Sequence, residues 1–172
     1  MAANDLRILK HGLTVQRFDT EANVTVGMES GDAIKGAIGT GANYVGVCLT
    51  GDPEQETDMF IGVSKSGGTE TAAADGVIDV ELVIPGTIME IKATTVANVN
   101  TDALILALKF DQVTFDRSAA TAAGVLTLDE DEGTDTDVHG LMILDGRPTD
   151  GMMYFTPVLT HIGIGFGEVT QS

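Results

Sequence analysis

Residues 59–93 read MFIGVSKSGGTETAAADGVIDVELVIPGTIMEIKA, and the reading of this stretch decides the fold. In its second half Ile78, Val80, Leu82 and Ile84 alternate with Asp79 and Glu81, the period-two pattern of a strand with one buried and one wet face. Pro85 presets the backbone for the first central position of a turn, and Gly86 can take the positive φ that a type II turn needs at the second. Beyond the turn, Met89, Ile91 and Ala93 alternate against Glu90 and Lys92, which predicts a second strand with its own wet face. Upstream, the short apolar run 60–63 is closed by Ser66, Gly67 and Gly68, a turn signal. Strands and turns at this spacing make a β-meander or the corner of a small barrel.

Working outward, the expected architecture is all-β. A small β-barrel or β-sandwich fills a single β-rich domain, residues 23–172, behind an extended N-terminal arm, residues 1–22. A short strand is expected at 13–18 in the arm and another at 23–28 (NVTVGM), where Val24 and Val26 alternate with Thr25. Residues 50–58 form an acidic loop, and 69–76 (TETAAADG) a flexible or briefly helical connector. The run ALILALKF at 103–110 is the main ambiguity. Leu and Ala favour a helix that Asn100 or Thr101 could cap. The close strand-like neighbours and the length of the run favour a strand buried on both faces, and strand is the expectation. Further strands are expected at 112–115, 125–128 and 141–144, with a small-residue linker at 118–124, an acidic loop at 129–137 and a turn at 146–151. The apolar segment 152–166 supplies a last core strand or an association surface.

Composition agrees: 21 glycines, no Trp and many β-branched residues suit short strands joined by tight turns. The formal charge of −17 repels nucleic acid and anionic membranes, so neither is an expected partner. Residues 1–17 hold Arg7, Lys10 and Arg17 against Asp5 alone, so a basic segment precedes an acidic body and could dock on an acidic surface. Cys48 is the single cysteine, which excludes an intrachain disulfide; its neighbours Val45, Val47 and Leu49 mark it as a core residue. No signal-like leader opens the sequence, and no apolar run reaches the ~18 residues of a membrane span. Synthesis in a host cytoplasm without export is the expectation.

Candidate chemistry is thin. Asp129, Asp131, Asp135 and Asp137 place hard oxygen ligands at alternate positions, as Ca²⁺ prefers, but Gly140 stands where a helical Ca²⁺ loop has its bidentate Glu. A solvated acidic hairpin tip is the preferred reading, so no metal and no cofactor is expected. Asp52, Glu54, Glu56 and Asp58 share that weakness. Gly39, Gly41 and Gly46 lack both the dinucleotide spacing and a Lys followed by Ser or Thr, so they read as turn glycines. His11, His139 and His161 are scattered, and no nucleophile motif occurs. No catalytic residue is assigned, and the chain is expected not to be an enzyme.

The central stretch and its sequel resemble the capsid decoration (cement, or head-stabilising) proteins of tailed bacteriophages. The matching order is an apolar Φ-G-V segment at 60–63, Gly68-Thr69, a D-G-V-x-V strand at 75–80 and Pro85-Gly86, followed by ALILALKF and DQVTFD. The resemblance covers residues 36–115. It implies a non-enzymatic virion protein on the capsid exterior that bridges neighbouring major capsid protein subunits, as a homo-oligomer, trimer or dimer. It also implies an interface in the arm, for which Leu6, Arg7, Ile8 and Lys10 are the candidates, since an arm can add a strand to a sheet edge. The alternatives are a Ca²⁺-dependent carbohydrate-binding or adhesion β-module, and another virion component such as a tail-tube or fibre-base domain.

Overall fold

A computed structural model of the chain describes residues 6–10, 15–21, 28–37, 44–53, 58–84, 86–118, 124–131 and 139–158. Within them lie the strands β1 (Arg7–Lys10), β2 (Val15–Thr20), β3 (Ala33–Ala37), β4 (Tyr44–Val47), β5 (Asp58–Ser64), β6 (Gly76–Leu82), β7 (Ile88–Lys92), β8 (Gln112–Arg117), β9 (Leu126–Asp129), β10 (Leu141–Arg147) and β11 (Met152–Pro157), with one helix, α1 (Asp102–Leu108). The protein is all-β. Strands β2-β4-β3-β5-β6 close a small barrel, and a six-stranded sheet runs β1-β7-β11-β10-β8-β9. That sheet curls: Ala93, just beyond β7, bridges Leu128 of β9 and brings its far edge round.

The opening stretch folds as its alternation requires. Ile78 and Val80 point into the barrel, while Asp79 and Glu81 stay half-buried outside. In the turn Gly86 takes the expected positive φ, 83°, and the Thr87 N–H donates to the Ile84 carbonyl at 2.9 Å. Met89, Ile91 and Ala93 are buried. Glu90 departs from its expected wet face and is buried as well, because β7 lies between β1 and β11 and is flanked on both sides.

Two cores meet at a shared wall. The barrel encloses Ile34, Val45, Val47, Ile61, Ile78 and Val80. The larger core, under the curled sheet, holds Ile91, Phe115, Leu128, Ile143 and Phe155 among others. Sequence neighbours in the wall face opposite ways: Ala33, Cys48, Phe60 and Val83 serve the large core, while Ile34, Val47, Ile61 and the half-buried Leu82 serve the barrel. Phe60 meets Phe115 edge-on with ring centroids 5.7 Å apart, and Phe115 meets Phe155 in the same way at 5.7 Å. The run 60–63 does not alternate because both of its faces are buried.

Residues 103–110 correct an expectation: they form α1 and the turn after it, not a strand. Thr101 caps the helix, its hydroxyl accepting the Leu104 N–H at 3.3 Å, and Ile105 and Leu108 face the large core. Local propensity prevailed because this segment crosses over β10 rather than entering a ladder. The connector 69–76 is a tight turn closed by a Thr71–Ala74 bridge. The strand expected at 23–28 lies outside the described residues except for the buried Met28. The first 20 residues supply strands to both bodies: β1 pairs with β7, and β2 pairs with β6 and β4.

Candidate functional site

The four interface candidates sit on and before β1. Leu6 is buried in the large core and Ile8 packs against it half-buried. Arg7 stands opposite Glu90 and Lys10 opposite Ile88 in the ladder; the side chains of Arg7 and Lys10 lie outside the described residues. Among the described residues β7 is the one neighbour of β1, which leaves a sheet edge on its other side.

The charged groups that composition could not place are largely used by the fold. Arg117, on β8, is 4 % exposed and ties the bodies together. Its Nη2 donates to Asp32 Oδ1 at 2.8 Å, its Nε to the Cys48 carbonyl at 3.1 Å and its Nη1 to the Gly124 carbonyl at 3.1 Å. The second Asp32 oxygen accepts the Glu29 N–H at 2.7 Å, and Ser64 joins by accepting the Asp32 N–H and donating to the Glu29 carbonyl. Alongside, the Gly51 N–H donates to the Phe115 carbonyl at 2.9 Å and the Phe115 N–H to the Asp52 carbonyl at 2.7 Å, so the chain leaving β4 runs on against β8. The sequence signal was present: Val113, Phe115 and Arg117 share one parity, which places the guanidinium on the buried face.

In the described part of the acidic loops the carboxylates are held by the fold. Asp129 Oδ1 accepts the Asp131 N–H at 3.4 Å, a local turn contact. Glu130, between them, is buried and caps the turn at Val96–Val99 by accepting the Thr95 N–H and the Asn98 amide, each at 3.1 Å. Asp135 and Asp137 lie outside the described residues, as do Glu54 and Glu56. Asp52 pairs with Lys35 at 2.7 Å. Among the described residues no three His, Cys, Asp or Glu side chains converge as a metal would require.

Two depressions are lined by described residues. A wide-mouthed depression of about 480 Å³ is lined by Asp19, Tyr44, Thr69, Asp75, Gly76 and Val77. There the Tyr44 hydroxyl donates to Asp75 at 2.8 Å, and that bond with the carboxylate charge pushes the phenol above its usual range, the wrong direction for a base or nucleophile. A second of about 340 Å³ lies between Leu6 and Ile8 and the barrel residues Val63, Ser64, Lys65 and Glu81. His139 and Cys48 are buried, while His11 and His161 lie outside the described residues. Gly46, expected in a turn, lies within β4 opposite Lys35 of β3, because its neighbours Val45 and Val47 enter the barrel ladder; Gly39 and Gly41 lie outside the described residues.

Part of the described surface is apolar. In α1 (DALILAL) Asp102 is the sole polar residue, and Ala103, Leu106 and Ala107 are all exposed, Leu106 at 66 %. A helix apolar on every side is normally covered. Immediately after it, Phe110 is 70 % exposed at φ 73°, a left-handed conformation that costs a bulky L-residue roughly 1–2 kcal/mol. Reading 103–110 as a strand buried on both faces hid this face from the sequence analysis.

These features define a class, an all-β protein of a closed barrel and a curled sheet on a common wall. No family model, no curated protein and no solved structure matches the chain.

Proposed function

We propose that the chain is a non-enzymatic decoration protein of a tailed-phage capsid, which binds the outside of the assembled shell and ties neighbouring major capsid protein subunits together. The observation that carries this reading is the way the fold spends its polar groups. Asp32, Arg117, Asp52 and Glu130 hold backbone, one another or Lys35, and among the described residues an edge strand and an exposed apolar helix stand beside an acidic surface. A protein so built offers a rigid recognition surface. Binding to the assembled state alone stabilises that state by mass action. Many equivalent sites on one shell then add by avidity. The −17 charge supports the reading as well, since it keeps free copies and decorated particles apart in solution. Within it, Leu6 and Ile8 stay in the core, and β1 contributes through the edge that no described strand pairs.

The test is co-sedimentation of the purified chain with expanded shells that lack it, from the virus that encodes it, followed by a heat ramp on the loaded shells. Saturable binding and a higher shell melting temperature are expected. A chain that stays in the supernatant at all concentrations overturns the proposal. Ca²⁺ is expected to leave both binding and chain stability unchanged; a Ca²⁺-dependent rise in melting temperature would favour the carbohydrate-module alternative.

A further inference from the structure

The exposed apolar helix and the left-handed phenylalanine lie consecutively in the chain, and neither is explained by folding. Among the described residues Ile105 and Leu108 are the side chains of α1 that reach the large core, while Ala103, Leu104, Leu106 and Ala107 are exposed. Phe110 is held rigidly: its N–H donates to the Ile143 carbonyl at 2.9 Å, and the Ile143 N–H donates to the Asp111 carbonyl at 3.0 Å. Those two bonds to β10 fix the backbone on either side of the ring, so its projection into solvent is built in. Strain of this kind gathers at sites of recognition, where surrounding structure over-determines it. Preorganised aromatic anchors lose little freedom on binding.

The occupant follows from charge. A second copy meeting this face through its own would oppose like charges, because among the described residues Asp102, Asp111 and Asp145 flank it against Lys109, 3.1 Å from Asp145. We propose that α1 and Phe110 are the anchor of the shell-binding face, with Phe110 and Leu106 entering an apolar pocket on the capsid protein whose rim carries Lys or Arg. This rests on the decoration reading above, and it names which surface of the chain does the binding.

The experiment compares wild type with Phe110→Gly, Leu106→Ser and, as a control on another exposed apolar residue, Val15→Ser, in binding to the same expanded shells. Glycine suits the backbone at position 110, so Phe110→Gly is expected to melt no lower than wild type. With that, a loss of about 30-fold or more in shell affinity is expected for Phe110→Gly and for Leu106→Ser, and no change for Val15→Ser. Raising salt from about 0.05 M to about 0.5 M is expected to weaken wild-type binding, as screened charges on the rim would. Wild-type binding with unchanged affinity in both patch variants overturns the anchor and leaves the decoration reading standing; salt-independent binding overturns the basic rim. Failure of wild type to bind overturns the decoration reading and the anchor together. Wild-type self-association abolished by Phe110→Gly, seen by light scattering, also overturns it by assigning the face to a second copy.

Discussion

Arg117 shows how much of a two-core fold can hang on one side chain. Three of its contacts reach segments that follow three different strands or precede them, and its partner Asp32 is as dry as it is. Removing one member of such a pair leaves a buried charge uncompensated, so Arg117→Met is expected to cost about 3–5 kcal/mol in denaturant melts. Adding Asp32→Asn removes the stranded charge, and the double variant is expected to be more stable than Arg117→Met alone; simple additivity would contradict the account. At the surface Asp79 behaves differently. Its carboxyl is held below the ordinary 3.8 by the hydrogen bond from Arg17, at 2.8 Å. A depressed carboxyl adds stability above its ordinary value and loses it as pH falls through the folded-state value. Wild type is therefore expected to exceed Asp79→Asn slightly at pH 7, with the gap closing below pH 3.8 in an acid titration of the melting temperature.

Among the elements, β5 carries a tight steric demand. A Cβ at Gly62 would lie 2.1 Å from the Glu81 carbonyl oxygen of β6, so Gly62→Ala must push the two strands apart where the barrel meets the large core. It is expected to destabilise by more than about 2 kcal/mol, read by thermal unfolding, and a neutral result would contradict the pairing. The strands flanking this point were legible because alternation is a strong local signal: 78–81 and 89–93 place their apolar residues as the sequence indicated, while beyond them Val83 turns into the large core and Leu82 and Ile84 are only half-buried. The helix was illegible for a related reason. ALILALKF carries no alternation, and only its lack of a ladder partner, a tertiary fact, lets propensity and the Thr101 cap decide. Glu130 was hidden too, since its composition is that of a solvated loop and its role depends on Thr95 and Asn98 reaching it from 35 and 32 residues away.

At the scale of the whole molecule, the all-β class was readable from glycine content, turn chemistry and strand period, but the division into a closed barrel and a curled sheet was not. That division depends on which neighbours in the wall, such as Phe60 and Ile61, turn to which core, and apolar residues carry no such address. The candidate surface was equally hidden, because exposure of Leu106 and Phe110 follows from the crossing of α1 over β10. The central claim is that this double-bodied protein sits outside a capsid shell and bridges its subunits. Its most direct test is an electron cryo-microscopy reconstruction of expanded shells reconstituted with the purified chain. The account predicts added density on the outer surface where capsid subunits meet, with α1 and Phe110 against the shell. Added density confined to a tail or to the shell interior, or none at saturating chain, would contradict it.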